Sequence, residues 1–217
     1  MHVREWGSLE GRPLVFWHAL GVVQSGAMLT ELAPTLTDAG LRLIAPDAPG
    51  FGQSPPLPPE RYELESLLEL LEWVLDDRGI DRALVMGHSW GGSVVSGFAS
   101  RYPERVEGLI LVDSGQMDYQ DSPGFPQDES LEQLIQEAGE RIRLATDDFA
   151  TAAQEGLRRP VTPELLEAAR AAFREEDGEL VAILTPEVRA KKTAEDITSG
   201  ASGGASGPAN GGNGGAT

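Results

Sequence analysis

The segment from Ala83 to Arg101 constrains the fold more than any other. An apolar run, Ala83 to Met86, meets Gly87-His-Ser89-Trp-Gly91-Gly92 and continues into a helix-compatible stretch rich in small residues. A strand that passes through glycines straight into a helix makes a tight turn of the kind found in βαβ units. The flanking sequence repeats that alternation. Pro13–His18 reads as a strand, followed by a weakly amphipathic stretch from about Ser25 to Leu36. Leu41–Ala45 is a second strand, closed by the turn-dense Pro46-Asp-Ala-Pro-Gly-Phe-Gly52. From Glu60 to Asp77 leucines fall at 64, 67, 68, 71 and 75 with Val74 beside them, the spacing of one helical face. Val106–Val112 reads as the strand after the glycine turn. Continuous apolar strands separated by helices predict an α/β fold, a mostly parallel sheet with helices on both faces.

After Asp113 the pattern changes. Asp128 to Leu144, Asp147 to Leu157, Pro163 to Phe173 and roughly Gly178 to Ala194 read as helices with no strand between them. The expected organisation is therefore a core over residues 1–117, a helical cap over 118–196 and a tail over 197–217. Thr198–Thr217 carries eight glycines and no charged residue, a composition expected to behave as a flexible coil.

Charge and composition narrow the classes of function. The 217 residues carry 35 acidic and 17 basic side chains, a formal charge of −18, with the excess acid spread over core and cap. Such a surface repels phosphate backbones and anionic lipid heads, so neither nucleic acid nor membrane is an expected partner. With no cysteine there is no thiolate nucleophile or disulfide framework. The three histidines, His2, His18 and His88, do not stand at metal-ligand spacing, so no metal and no cofactor is expected. No leader-like apolar segment and no membrane-length apolar run is visible, and the expected location is the cytoplasm.

Ser89 is the candidate nucleophile. A serine on a strained strand-to-helix turn projects its Oγ above the sheet, provided that neighbours without a β-carbon let the turn close. The same turn sets backbone N–H groups of the helix N-terminus beside the reacting centre, where they can stabilise an oxyanion.

At these residues the sequence resembles the α/β-hydrolase family, in the branch that carries a helical cap. Phe16-Trp-His-Ala-Leu-Gly21 is similar to the family's oxyanion segment, and Pro46-Asp-Ala-Pro-Gly-Phe-Gly-Gln-Ser54 to its D-x-P-G-x-G-x-S loop. Arg101–Val106 with Gly108–Ser114 is similar to the following helix end and strand. The resemblance extends from residue 2 to about 196. It implies Ser89 as the nucleophile, with the N–H groups of Trp90 and Leu20 as the oxyanion hole. Ala19 stands where the family usually has glycine. Asp113, at the end of the strand after the turn, is a candidate for the triad acid, with a turn-capping role as the alternative. Trp17 and Trp90 are candidates for lining an apolar acyl pocket. Asp47 reads as loop-forming and His2 as a surface residue.

A serine needs a base, and in this family the chain order is Ser, acid, His. No histidine follows Ser89. Two further strand-helix units, on the order of 60 residues, would carry the usual acid and histidine. The favoured expectation is a truncated or frameshifted copy whose open sheet edge invites self-association. The other is a shortened variant whose base is His18 or comes from a second polypeptide; His18 is otherwise expected to order the oxyanion loop. The function implied is a serine hydrolase acting on a small ester, lactone or related acyl compound. Epoxide hydrolases and dehalogenases are disfavoured because they use aspartate where Ser89 stands. The alternatives are a non-catalytic ligand-binding or interaction module and, suggested only by the linker-like tail, a fragment meant for complementation.

Overall fold

The computed structural model describes residues 1–21, 23–58, 61–114, 139–157, 160–188 and 190, with single helical positions at Gln133 and Gln136. The glycine-rich tail and most of the helix expected from Asp128 to Leu144 lie outside the described residues.

Five strands form the main sheet: β1 (Val3–Trp6), β2 (Arg12–Trp17), β3 (Leu41–Pro46), β4 (Ala83–His88) and β5 (Val106–Val112). Their spatial order is β1-β3-β2-β4-β5, parallel throughout except for β1, which runs antiparallel to β3. The sheet is thus the mostly parallel α/β sheet that the alternation predicts. β1 was not expected, because four residues with two charges among them carry little strand signal on their own.

Alternation along the strands divides the core into two layers. Val15, Trp17, Ile44 and Val85 face α2 (Leu64–Asp76) and α3 (Trp90–Arg101). Leu14, Phe16, Leu43 and Ala45 face the opposite side, where a 3₁₀ turn (Gly26–Leu29) and α1 (Ala33–Asp38) cover them. The leucine stripe of α2 buries Leu67, Leu68, Leu71, Val74 and Leu75. Each such side chain contributes about 1.5–3 kcal/mol of apolar transfer free energy. α2 begins at Leu64, later than expected, because Glu63 is extended and Tyr62 turns inward to be wholly buried.

The region after Asp113 is not purely helical, a correction to the expected cap. It contains a three-stranded antiparallel sheet of β6 (Arg143–Ala145), β7 (Phe173–Glu176) and β8 (Glu179–Ala182), in the order β6-β8-β7. Two helices, α4 (Phe149–Leu157) and α5 (Pro163–Arg170), accompany it. The cause is local. Asp177 and Gly178 adopt φ values of 52° and 83°, the two positive angles of a tight hairpin turn, and Glu176 pairs with Glu179 across it. Phe173 then packs edge-on against Phe149 at 5.4 Å. This unit meets the main core through Leu184 and Val188, which join the cluster around α2. Leu165 and Ala168 of α5 pack on Ala27.

Candidate active site

Ser89 caps the N-terminus of α3 with φ 51° and ψ −120°, a conformation that L-residues rarely adopt, and its side chain is exposed. Its N–H donates to Val112 O at 3.0 Å, and its carbonyl accepts from Gly92 N–H at 2.8 Å. The surrounding glycines make this turn possible. A β-carbon on Gly87 would strike the carbonyl of Gly91. One on Gly91 would strike the carbonyl of Trp17 and stand 2.7 Å from that of His18, and one on Gly92 would meet Ser114. The motif therefore closes the elbow on itself and presses the start of α3 against the end of β2.

The end of β2 carries the candidate oxyanion segment. His18 is wholly buried, and both ring nitrogens are engaged. Nε2 accepts from the Ala48 N–H at 3.0 Å, which puts the ring proton on Nδ1, and Nδ1 donates to the Ala19 carbonyl at 2.8 Å. That carbonyl belongs to the same trans peptide as the Leu20 N–H. Carbonyl and N–H of a trans peptide point in opposite directions, so holding one aims the other. In this geometry His18 has no lone pair to offer Ser89, and its contacts are those of a loop-orienting residue.

Aromatic rings fill the space beneath. Trp90 stacks on Phe51 at 6.2 Å and meets Trp17 edge-on at 6.2 Å, while Phe51 lies edge-on to His18 at 5.1 Å. Trp17 is wholly buried and Trp90 nearly so. Trp17 thus sits in the core under the site and offers a substrate no surface in this conformation. Asp113 adopts φ 46°, just past the end of β5, and is exposed. β5 pairs with the strand that ends at the elbow, His88 opposite Val112, so Ser89 and Asp113 leave the sheet side by side. A left-handed aspartate is also what a turn after a strand favours.

The loop resembling D-x-P-G-x-G-x-S is built around Asp47, whose carboxylate is wholly buried. It accepts from Arg4 Nη1 at 2.6 Å, Gly26 N–H at 2.8 Å, Gln53 N–H at 2.9 Å and His2 Nδ1 at 2.9 Å. Ser54 Oγ donates to the Asp47 carbonyl at 2.6 Å and accepts from the His2 N–H at 2.9 Å. Gly52 has no room for a β-carbon beside the Asp47 carboxylate, and its φ is 49°. His2, expected as a surface residue, is partly exposed, and its ring completes this cluster. Tyr62 holds the far side of the loop. Its hydroxyl accepts from Leu57 N–H at 3.0 Å, and burial pushes the phenol above its usual range. The parts played by Arg4, His2 and Gly26 were not visible in the sequence; only the motif from Asp47 to Ser54 pointed toward them.

Comparisons with known proteins follow the same outline. A sequence model described as the alpha/beta hydrolase fold matches residues 12–165. The haloalkane dehalogenase of Sphingobium indicum is 32% identical over 171 residues, 76% of this chain and 55% of that protein. A 2-hydroxy-6-oxononadienedioate/2-hydroxy-6-oxononatrienedioate hydrolase of Paraburkholderia phymatum is 37% identical over 103 residues, 47% of this chain and 36% of the relative. Among solved structures, the N-acyl homoserine lactonase AidH complexed with N-butanoyl homoserine superposes with a TM-score of 0.62 at 25% identity, covering 92% of this chain and 66% of that one. The chain thus spans about a third to a half of the length of these two curated relatives.

Proposed function

The chain belongs to the alpha/beta hydrolase fold family, and from that premise we propose that it carries the nucleophile and oxyanion half of a serine hydrolase for a small ester, lactone or related acyl compound. The observation that carries this reading is the exposed Ser89 held at φ 51° between β4 and α3 by three glycines that admit no β-carbon. In the proposed reaction Ser89 Oγ attacks the acyl carbonyl and gives its proton to a general base. The N–H groups of Trp90 and Leu20 receive the negative charge that develops on the carbonyl oxygen. The alcohol leaves with a proton, and water then releases the acid from the acyl-enzyme. His18 aims the Leu20 N–H, and Asp113 stands where a carboxylate can orient a base.

His18 is committed through both nitrogens and no histidine follows Ser89 in this sequence, so the general base is assigned to no residue of it. The chain by itself is accordingly a slow enzyme, because loss of the base from a triad removes several orders of magnitude in rate. The test is hydrolysis of a short-chain p-nitrophenyl ester by the purified chain beside Ser89→Ala, normalised to folded protein by circular dichroism. Slow turnover that vanishes in Ser89→Ala supports the proposal, and turnover indifferent to that change defeats it. The same commitment of His18 favours a second reading, a non-catalytic ligand-binding module, which tight ligand binding surviving Ser89→Ala would establish.

A further inference from the structure

A wholly buried carboxylate is costly unless it is paired and hydrogen-bonded, and Asp47 meets that demand through β1, the strand that the sequence pattern did not reveal. Arg4 supplies the counter-charge at 2.6 Å, and its side chain is itself mostly buried. His2 adds the second side-chain contact. The residue after Asp47 is Ala48, whose N–H occupies His18 Nε2 and thereby fixes the proton on Nδ1. A continuous path of contacts therefore leads from β1 to the peptide whose N–H is Leu20.

We propose that Arg4 and His2 are positioning residues for the oxyanion peptide, acting through Asp47, Ala48 and His18. The inference rests on the reading of Leu20 N–H as an oxyanion donor. Without Arg4 the buried carboxylate loses its counter-charge and must draw in water or move toward it. Either change loosens its bonds to the Gly26 and Gln53 N–H groups and lets the loop that begins at Asp47 shift. A shift there withdraws the Ala48 N–H from His18. With Nε2 no longer occupied, Nδ1 need not carry the proton, the Ala19 carbonyl loses its donor, and the Leu20 N–H is no longer aimed.

The test reads the ring directly, in the ¹⁵N-labelled 217-residue chain near neutral pH. Two-bond proton–nitrogen spectra of the imidazoles are compared for the unaltered chain, Arg4→Met and Arg4→Lys, with His88→Gln used to assign the signals. The unaltered chain is expected to show His18 as a single Nδ1-protonated tautomer. In Arg4→Met the two ring nitrogens should move toward each other as tautomers mix, and Arg4→Lys should restore most of the original pattern. Ser89-dependent ester hydrolysis in the same series should fall roughly tenfold in kcat in Arg4→Met, with KM within about twofold, less than complete loss of an oxyanion donor. A folded Arg4→Met with unchanged His18 nitrogens overturns the proposal. If Arg4→Met does not fold, His2→Gln, at a partly exposed position, decides the matter: a smaller shift in the same direction supports it and no shift overturns it. Absence of any Ser89-dependent hydrolysis in the unaltered chain defeats the hydrolase reading alone, because the ring signals report on positioning without turnover.

Discussion

The two sides of β4 are finished differently. On one side, β2 and β3 are sealed: His18, Asp47 and Ser54 are buried among their hydrogen-bond partners, and Leu184 and Val188 of the smaller unit join the core cluster that holds Phe51 of the loop after β3. On the other side, β5 is the last strand of the sheet among the described residues, and Leu109, Ile110, Leu111 and Val112 are each between 37% and 42% exposed. Four consecutive apolar residues expose both faces of a parallel strand, whereas such strands are ordinarily covered on both. Ser89 sits on the boundary. The proposed oxyanion donors lie toward the sealed side, and Asp113, the candidate acid, lies toward the open side on the turn after β5. The difference teaches that the two flanks of one strand can be finished independently: the flank that aims the Leu20 N–H is packed and hydrogen-bonded, while the flank that carries Asp113 is exposed among the described residues.

The comparison can be broken most decisively at Ser89. Ser89→Ala should remove whatever Ser89-dependent acyl transfer the unaltered chain shows, read by ester hydrolysis or by loss of labelling with a fluorophosphonate. Next comes the sealed side. Gly91→Ala drives a methyl group into the backbone carbonyls of Trp17 and His18 and should destabilise the chain by about 3 kcal/mol, seen as a lower denaturation midpoint. A smaller effect of opposite sign is expected from Ser89→Gly, which relieves the positive φ and should raise stability by about 1 kcal/mol while abolishing the nucleophile. The open side should tolerate change best. Leu111→Lys is expected to alter stability by no more than about 0.5 kcal/mol, yet to reduce any self-association through the β5 edge, measured by sedimentation at several concentrations. A large loss of stability in Leu111→Lys would show that this strand is covered after all.

Legibility followed the same divide between local and distant causes. The elbow could be read because its requirements are local: a strand, small residues and a serine lie within ten positions, and each glycine has a steric reason visible in the sequence order. The stripe of α2 could be read because its period repeats along the 13 residues of the helix. The smaller unit was misread. Phe173 was expected to end one helix and Gly178 to begin another, although Asp177-Gly178 is a strong hairpin signal and Phe173 and Leu180 are suited to strands. Helix-forming Glu and Ala residues flank that dipeptide, and the pairing of Glu175 with Leu180 sets the hairpin in the folded chain.

What the sequence by itself determined is the alternation of strands and helices, the candidate nucleophile on its strand-to-helix turn and the fact that no histidine follows it. These depend on residue order over spans of a few turns. What only the tertiary structure decided is the state of His18 and the place of β1. A ring nitrogen becomes a base or a fixed acceptor according to which N–H lies 3.0 Å away, and that N–H comes from Ala48, thirty positions along the chain. In the same way Arg4 acquires its partner only when β1 pairs with β3 and brings a buried carboxylate into reach, a contact set by sheet register and not by any local pattern.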